Sequence, residues 1–251
     1  PAGRPPRVPD RNHSGKLSAM TEPAPTPSKD TRALVRVLDR HEVTVVLDVG
    51  ANVGQYARRL RQGGWSGRIV SFEPLPAVHA GLTAAAAEDP AWEVPAPLAL
   101  GDRDGELTLN ISAESDMSSA LPFRPEMAEL LDSAGYRGTA VVPLRRLDGV
   151  FPAHVRDGDR PFLKIDTQGF EPAVLDGAQA VLDRLVGLQM ELALVPVYEG
   201  EIVWQAMIAQ LAGLGFEPVL FIPGYFNRRT ARLMSMDGIF IRRDLLDPLG
   251  G

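Results

Sequence analysis

The sequence predicts an α/β fold in which one domain is built on a doubly wound, mostly parallel sheet. From Val43 to Arg242, apolar runs of strand length alternate with stretches of helical periodicity. A glycine-rich turn follows the first apolar run, and several of the runs lack the polar alternation of a half-exposed strand. A β-α-β-α-β order produces parallel strands, because right-handed crossovers return the chain to the same edge of the sheet.

The first half of the chain predicts three strands and two crossover helices, after an N-terminal helix. Leu34, Val35 and Leu38 share one face of that first helix. The first crossover helix ends at a Gly-Gly pair, and the second is rich in alanine, the strongest helix former. In order, the predicted elements are helix 31–40, strand 43–47, helix 55–61, strand 68–72, helix 77–88 and strand 94–100.

The second half of the chain resumes the same alternation after a loop-rich insertion. The insertion, residues 102–146, is too short for an independent core, so we expect it to cover a pocket. The elements predicted after it are strand 161–165, helix 171–184, strand 186–194, helix 203–212 and strands 216–222 and 236–242.

The N-terminal segment differs in composition from the rest of the chain. Residues 1–29 are rich in proline, serine, threonine and charge, with almost no apolar periodicity. Such a segment buries too little surface to offset its ordering entropy, which predicts a disordered or loosely attached arm. Residues 30–251 predict a single domain.

Composition restricts the classes of partner. The 251 residues carry a formal net charge of -6, which argues against a nucleic-acid partner. The chain has no cysteine, which excludes disulfides and thiolate metal sites. No apolar run approaches the ~18–20 residues of a membrane span, and the first residues lack a secretory pattern. We therefore expect a cytoplasmic protein that does not span a membrane; a homo-oligomer is compatible with the sequence.

The turn after the first strand predicts a ligand site. It reads Asp48-Val-Gly50-Ala51-Asn52-Val-Gly54, between a strand and a helix. Glycine allows a ligand to approach the backbone, and the helix N-terminus favours a carboxylate or phosphate. The spacing is not that of a dinucleotide fingerprint, because Asn52 occupies the second glycine position and Gly54 comes too early.

Two carboxylates then indicate which ligand binds. Asp48 would attract an ammonium group and repel a diphosphate, and Glu73 is placed at the next strand end to take both hydroxyls of a ribose. A ligand with an ammonium, a carboxylate and a free ribose is S-adenosylmethionine. The alternative is a plain strand-to-helix turn with Glu73 as a solvated cap. The predicted cofactor-binding residues here are Asp48, Gly50, Ala51, Asn52, Gly54, Glu73 and Pro74.

Three stretches of the chain resemble the FkbM-type methyltransferases. They are Leu47–Gly54, Ala99–Leu107, and Leu147-Asp148 followed by Phe162–Ala178. The last contains the discriminating pattern, Lys-x-Asp-x-x-Gly-x-Glu. The resemblance implies a Rossmann-like class I methyltransferase fold that uses S-adenosylmethionine. It also implies O-methylation, typically of a sugar or another hydroxyl group in secondary metabolites or glycans. The family often has Glu where this chain has Gln168, to which we assign no acid–base role.

Asp166 is the leading candidate for catalysis, because a hydroxyl acceptor loses a proton as the methyl–oxygen bond forms. Asp166 follows the strand 161–165, and Lys164 shares its face of the sheet and could orient it. A structural ion pair is the alternative. Glu191 lies in the next strand and could join Asp166 in catalysis or in holding Mg²⁺, although no third ligand is evident. For Glu171, a favourable interaction with the helix dipole is the better interpretation.

Polar residues of the insertion are further candidates for cofactor contacts. Asp102 should lie near the adenine, or else simply forms a turn. Ser119 ends a serine-rich loop that could close over the cofactor, and a plain polar loop is the alternative. The four histidines are expected to have packing or solvated roles. Aromatic side chains could stack on a sugar, with core packing as the safer assumption; they are Tyr198, Trp204, Tyr225 and Phe226.

Three rival functions are weighed against this interpretation. An NAD(P)-dependent oxidoreductase is disfavoured by Asn52 and Asp48. A nucleic-acid adenine methylase would need an Asn/Asp-Pro-Pro-aromatic turn, where this chain has Asp-Thr-Gln-Gly-Phe. A non-catalytic scaffold of the same fold would have no need to retain Gly50 and Glu73. The expected partner is therefore a small-molecule hydroxyl acceptor.

Overall fold

The computed structural model describes residues 26–112, 117–128 and 135–247. The helices are α1 (Lys29–Arg40), α2 (Gln55–Gln62), α3 (Pro76–Ala86), α4 (Pro125–Ala128), α5 (Leu147–His154), α6 (Glu171–Asp176) and α7 (Trp204–Gly213), with 3₁₀ turns at Leu182–Arg184 and Arg243–Leu245. The strands are β1 (Val45–Val49), β2 (Arg68–Phe72), β3 (Trp92–Glu93), β4 (Ala99–Leu100), β5 (Gly105–Ser112), β6 (Tyr136–Arg145), β7 (Pro161–Ile165), β8 (Gly187–Ala193), β9 (Phe216–Pro223), β10 (Phe226–Asn227), β11 (Arg232–Leu233) and β12 (Ser235–Arg242).

The central sheet has seven strands in the order β3-β2-β1-β7-β8-β12-β9. The pairs from β3 to β8 are parallel, and β12 is antiparallel to both β8 and β9. This confirms the predicted mostly parallel sheet. Strands β2 and β3 are added on one side of β1, and β7 and β8 on the other, so the strand order switches between β1 and β7. Ligands bind at this switch point in open α/β sheets.

Each face of the sheet is covered by helices and has its own apolar core. On one face, α1, α2 and α3 contribute buried residues such as Leu34, Leu60 and Leu82. On the other face, α5, α6 and α7 contribute residues such as Phe151 and Leu175. Strands β1 and β7 are buried along their whole length, which explains why their sequences are apolar except for Asp48 and Lys164.

The third strand is not where the sequence predicts it. Strand β3 ends at Glu93, residues 94–98 form no strand, and β4 leaves the central sheet to pair with β6. Pro95 and Pro97 lie in this interval, and proline has no N–H for a sheet ladder. The predicted strand 94–100 is therefore wrong.

Strands β5 and β6 of the insertion join β4, which precedes it, in a small second sheet with strand order β4-β6-β5. An apolar cluster beneath it includes Leu109, Val142 and Leu144. Leu75 and Ala99, from outside the insertion, complete this cluster. The insertion therefore packs on the central domain rather than standing apart from it.

Helix α6 is shorter than the predicted helix 171–184. It ends at Asp176, because Gly177 lies against the backbone of Gly101, where an added Cβ would be 1.8 Å from the carbonyl oxygen. At the other end of the domain, Ser28 caps α1 by accepting a hydrogen bond from the Thr31 N–H at 3.0 Å. Residues 28 and 29 thus belong to the domain, and residues 1–25 of the predicted arm lie outside the described residues.

Within the described ranges, the structure contains no helix that is long and apolar enough to cross a membrane.

Candidate active site

A cavity of about 320 Å³ lies at the carboxyl ends of β1, β2 and β7. Its volume falls within the range of about 300–1,000 Å³ that is usual for small-molecule sites. Leucines at positions 75, 98, 100, 107 and 109 line its apolar part. The polar side chains that line it are Asn52, Gln55, Tyr56, Arg59, Glu73, Ser118, Lys164, Asp166, Thr167, Gln168, Gln189 and Asp237.

The predicted turn forms one wall of the cavity. Gly50, Ala51 and Asn52 line it directly. Gly50 has a φ of +75°, and an added Cβ would lie 1.9 Å from the carbonyl oxygen of Asp166. Glycine at this position therefore allows the turn to contact the end of β7.

Gly54 does not line the cavity, so its position does not agree with the predicted direct contact to the cofactor. Its φ is +84°, and an added Cβ would lie 2.5 Å from the ring of Trp92. Gly54 therefore allows α2 to begin close to β3, and its effect on the cavity is indirect.

Glu73 lies at the end of β2 and faces the cavity, where Pro74 joins it in the wall. One carboxylate oxygen accepts a hydrogen bond from the Asn52 N–H at 3.0 Å, and the other from the Leu75 N–H at 2.9 Å. Burial raises the pKa of Glu73, while these two backbone donors act in the opposite direction. The backbone thus fixes the orientation of the carboxylate, and each oxygen keeps a second lone pair for a ligand donor.

Asp48 does not have the role that the sequence suggests. Its side chain is fully buried and is not among those that line the cavity. One carboxylate oxygen accepts a hydrogen bond from the Ser71 hydroxyl at 3.1 Å, and the other lies 3.2 Å from Lys164 Nζ. The positive partner of Asp48 is therefore a lysine of the protein rather than the ammonium group of a ligand.

Lys164 joins the turn to Asp166. Its Nζ donates to the carbonyl oxygen of Gly50 at 3.2 Å and lies 3.5 Å from Asp166 Oδ2. Burial alone would lower the pKa of Lys164, but the carboxylates of Asp48 and Asp166 outweigh it and raise that pKa. Lys164 is therefore a fixed cation at neutral pH and cannot act as a base.

Asp166 lines the cavity at the end of β7, with about a third of its side chain exposed (36%). The side-chain amide of Gln168 donates from Nε2 to Asp166 Oδ1 and to Glu191 Oε2, at 2.9 Å in each case. Tyr198 donates its hydroxyl hydrogen to Gln168 Oε1 at 2.9 Å, which fixes the amide in that orientation. Gln168, to which the sequence assigns no acid–base role, is thus the residue that positions Asp166.

Glu191 lies on the far side of Gln168 and is not among the residues that line the cavity. Burial, followed by the nearby charge of Asp166, raises its pKa well above the usual range. The predicted direct role in catalysis therefore does not agree with its position. The predicted metal pair does not agree either, because an amide nitrogen without a free lone pair occupies the space between the carboxylates. In the described part of the chain, no three His, Cys, Asp or Glu side chains come together as metal ligands.

Glu171 holds the loop that follows β7. Its Oε1 accepts hydrogen bonds from the backbone N–H groups of Thr167 at 2.8 Å and Gly169 at 3.2 Å, and from the Thr167 hydroxyl. Burial raises the pKa of Glu171 to about 7, although the backbone donors oppose the shift. Its position thus matches a structural role at the start of α6.

A family model described as the methyltransferase FkbM domain matches residues 48–218. The chain belongs to the FkbM methyltransferase family. The matched region begins at the Asp48 turn and includes both Glu73 and Asp166.

Solved structures resemble this FkbM methyltransferase in fold at low sequence identity. A putative methyltransferase from Thermobifida fusca YX is 13% identical over 85% of this chain and 79% of that chain, with a TM-score of 0.49. An rRNA methylase from Streptococcus thermophilus is 14% identical over 85% and 93%, with a TM-score of 0.45. Aeropyrum pernix fibrillarin with natively bound S-adenosyl-L-methionine is 12% identical over 79% and 66%, with a TM-score of 0.44. A search of curated proteins gives no match.

Two predicted cofactor contacts of the FkbM domain lie outside the cavity. The Asp102 side chain forms an ion pair with Arg103 at 2.9 Å and is not among the lining residues. Ser119 is buried, and its hydroxyl donates to the carbonyl oxygen of Gln168 at 2.6 Å. Its neighbour Ser118 lines the cavity instead. The insertion therefore contributes to the wall through Ser118 and apolar side chains.

The aromatic side chains of the C-terminal part do not line the cavity of the FkbM methyltransferase. Tyr198 stacks on Phe123 with a centroid separation of 5.1 Å, whereas Tyr225 and Phe226 are exposed. None of the three histidines that the structure describes lines the cavity either: His41, His79 and His154.

The sequence analysis missed several polar residues that line the cavity of the FkbM methyltransferase, among them Gln55 and Thr167. Tyr56 and Arg59 lie on α2, three residues apart, and Gln189 and Asp237 lie in the apolar strands β8 and β12. The Tyr56 hydroxyl donates to Gln189 Oε1 at 3.0 Å. Polar residues inside predominantly apolar strands are the signal that could have indicated Gln189 and Asp237.

Proposed function

We propose that this methyltransferase transfers the methyl group of S-adenosylmethionine to a hydroxyl oxygen of a small molecule, such as a sugar or a glycosylated secondary metabolite. One observation carries the proposal. A single cavity is bounded by the Gly50–Asn52 turn and Glu73 on one side and by the partly exposed carboxylate of Asp166 on the other. Family membership accounts for methyl transfer, and the acceptor and the atom that is methylated are what we propose.

The residues around Glu73 fit the nucleoside part of the cofactor. Each Glu73 oxygen is held by one backbone N–H, and the lone pairs that remain can accept both ribose hydroxyls. Leu75 and Leu98 lie beside Glu73 and offer an apolar surface to the adenine. When bound, S-adenosylmethionine supplies an electrophilic methyl group on a positively charged sulfur that leaves as a thioether.

Asp166 is suited to accept the proton of the acceptor hydroxyl. Gln168 holds its Oδ1, while Oδ2 lies 3.5 Å from Lys164 Nζ and has lone pairs to spare. A fixed carboxylate beside the acceptor is the arrangement that general-base assistance needs. Lys164 stays cationic, so proton removal falls to Asp166.

The charge of the chain supports a small acceptor over a nucleic acid. The formal net charge is -6, and in the cavity lining the carboxylates of Glu73, Asp166 and Asp237 outnumber the two cations, Arg59 and Lys164. An acidic cavity attracts a sulfonium cofactor and repels a phosphate backbone. We therefore expect an acceptor without a long polyanionic backbone.

Binding experiments test the cofactor part of the proposal. S-adenosylhomocysteine at about 100 times its dissociation constant should stabilise the folded protein by about 2.7 kcal/mol in a thermal-shift assay. NAD and NADP at the same concentrations should have no effect. Stabilisation by a nicotinamide dinucleotide alone would favour an oxidoreductase instead.

Methyl transfer from labelled S-adenosylmethionine tests the acceptor part. The panel should contain free sugars, glycosides, amines of similar size and ribosomal RNA, and fragmentation mass spectrometry should locate the methyl group. We expect label on an oxygen of a sugar-containing compound. Label on RNA or on nitrogen would contradict the proposal, and cofactor binding without transfer to any acceptor would favour a scaffold.

A further inference from the structure

Two charged side chains of the cavity have no role in the mechanism described so far. Arg59 lies on α2, on the same face as Tyr56, and Asp237 lies on β12. Gln189 connects the two neighbourhoods, since it accepts the Tyr56 hydroxyl hydrogen and is hydrogen-bonded to the Asp237 side chain. The positive charge of Arg59 also acts on Asp237, so the two charges lie near each other.

The guanidinium of Arg59 has unused hydrogen-bonding capacity. Its Nε and Nη2 are both buried, and neither donates to an acceptor in the structure. Buried N–H groups without partners are costly, most of all on a charged side chain. A carboxylate is the ligand group that matches a guanidinium best, because its two oxygens can accept a pair of parallel hydrogen bonds.

The position of Asp48 indicates which carboxylate of the cavity is available for the ammonium group of the cofactor. Asp48 is fully buried outside the cavity, and its charge is balanced by Lys164 at 3.2 Å, so the ammonium group of the cofactor needs another anion. Among the residues that the structure describes, three carboxylates line the cavity. Glu73 is oriented at the nucleoside side and Asp166 faces the acceptor, which leaves Asp237.

We infer that Arg59 and Asp237 form a clamp for the amino-acid end of S-adenosylmethionine, in which Arg59 binds the carboxylate and Asp237 the ammonium group. The inference rests on the proposed cofactor. A cation and an anion that line the same cavity and act on each other electrostatically match the zwitterion of the methionine part and nothing in its nucleoside part. The clamp would therefore discriminate among ligands that share the nucleoside.

Calorimetry with three nucleosides tests the clamp without any methyl acceptor. The ligands are S-adenosylhomocysteine, its decarboxylated analogue, which keeps the ammonium group, and methylthioadenosine, which lacks the whole amino-acid end. Wild type should bind S-adenosylhomocysteine about 10- to 100-fold more tightly than the decarboxylated analogue. The analogue lacks the carboxylate that would accept charged hydrogen bonds from Arg59. Arg59→Leu should abolish that difference and leave methylthioadenosine binding within about threefold.

Two further variants locate each half of the clamp. Asp237→Asn should weaken binding of both ligands that carry the ammonium group by about 10-fold or more, and should spare methylthioadenosine. Arg58→Leu is the matched control, because Arg58 is the exposed neighbour of Arg59 on the same helix. It should leave all three affinities unchanged.

The outcomes separate the clamp from the proposed function. If none of the three nucleosides binds wild type, the cofactor proposal itself fails. If wild type binds S-adenosylhomocysteine and its decarboxylated analogue equally well, or if Arg59→Leu keeps their difference, the clamp is overturned while the cofactor stands. Should Arg59→Leu fail to fold, Arg59→Lys replaces it; that variant keeps the charge but loses the planar fork, and should reduce the difference without abolishing it.

Discussion

The two sides of the cavity hold their carboxylates in different ways. On the side of Glu73, the backbone N–H groups of Asn52 and Leu75 fix the carboxylate. On the side of Asp166, the side chains of Gln168 and Lys164 do so. A group that the backbone holds keeps its orientation when neighbouring side chains change. A group held by side chains depends on each of them, so a single substitution affects its neighbours as well.

The two sides also differ in how charge is balanced. Both oxygens of Glu73 accept hydrogen bonds from backbone N–H groups. Around Asp166, by contrast, Lys164 is shared between two carboxylates, Asp48 and Asp166, and the amide of Gln168 between Asp166 and Glu191. The difference suggests a division of labour, with a rigid binding surface at Glu73 and a tuned reactive group at Asp166. Each prediction below tests that division.

Asp166→Asn should have the largest effect. If Asp166 is the general base, kcat should fall by about 10²- to 10⁴-fold, while the affinity for S-adenosylhomocysteine should stay within about threefold. Asparagine retains a side-chain oxygen that can accept the hydrogen bond from Gln168, so the local geometry is preserved. Steady-state kinetics and calorimetry measure the two quantities.

Asp102→Asn is the control for that substitution, because Asp102 lies outside the cavity and pairs with the neighbouring Arg103. It should change neither quantity. If Asp166→Asn turns over at the wild-type rate, Asp166 has no part in proton removal, and the contrast between the two sides loses its functional meaning.

Lys164→Met should have the next largest effect, on stability. It leaves the fully buried carboxylate of Asp48 without its cation, which typically costs about 3–5 kcal/mol. Adding Asp48→Asn removes the unpaired charge and should restore part of the loss. Urea unfolding of the single and double variants measures both effects.

An exposed ion pair provides the comparison. Arg103→Met removes a partner of Asp102 on the surface, where such pairs contribute about 0–1 kcal/mol. One contrary result is a free energy of unfolding that falls as little in Lys164→Met as in Arg103→Met; the other is an Asp48→Asn substitution that restores none of the loss. Either result would mean that the buried ion pair between β1 and β7 does not stabilise the fold.

How far the sequence predicted the site depends on the same contrast. The Gly50 turn and Glu73 lie within one βα unit of each other, so local motifs predict both, and the structure brings both to the same cavity. The partner of Asp48 depends on β7 pairing next to β1, which sets Asp48 opposite Lys164 although they are far apart in sequence. The spacing of residues within a motif does not predict the register of strands that are distant in sequence.

The missed residues have a similar origin. Arg59 is one of several arginines on a polar helix, and its position in the cavity follows from how α2 packs on the sheet. Asp237 reaches the site because β12 inserts antiparallel between β8 and β9. Gln168 had a visible signal, since it stands where the family often has Glu, but its bridging role depends on Glu191 and Tyr198. The prediction that Asp166 is catalytic stays a prediction.

Glu171→Gln should have a smaller effect that depends on pH. The pKa of about 7 in the folded state lies above the ordinary value of 4.5, so the protonated side chain stabilises the fold fully below about pH 4.5. That stability is lost as the pH rises through 7, by about 3 kcal/mol for a shift of this size. Glutamine does not ionise, so the variant should gain stability relative to wild type between pH 5 and pH 8.

Urea unfolding of wild type and Glu171→Gln at the two pH values measures this difference. Because the other buried acids are present in both proteins, their titrations cancel in the comparison. A difference that stays constant from pH 5 to pH 8 would mean that Glu171 is ionised throughout, and that the loop after β7 is held by a charged carboxylate.

The smallest expected effect is that of chelation on wild type, which we predict to be none. The Gln168 amide nitrogen lies 2.9 Å from both Asp166 and Glu191 and leaves no space for a cation between them. EDTA should therefore leave the rate of methyl transfer unchanged.

Gln168→Glu makes this result informative, because it places a third carboxylate where the amide stands and creates an oxygen-rich site of the kind that Mg²⁺ and Ca²⁺ bind. In that variant either ion should raise the melting temperature and EDTA should reverse the rise, since a ligand that binds only the folded state stabilises it. If wild type lost activity in EDTA and regained it with Mg²⁺, the amide bridge would have to open during turnover, and the side of Asp166 would be a metal site held closed by Gln168.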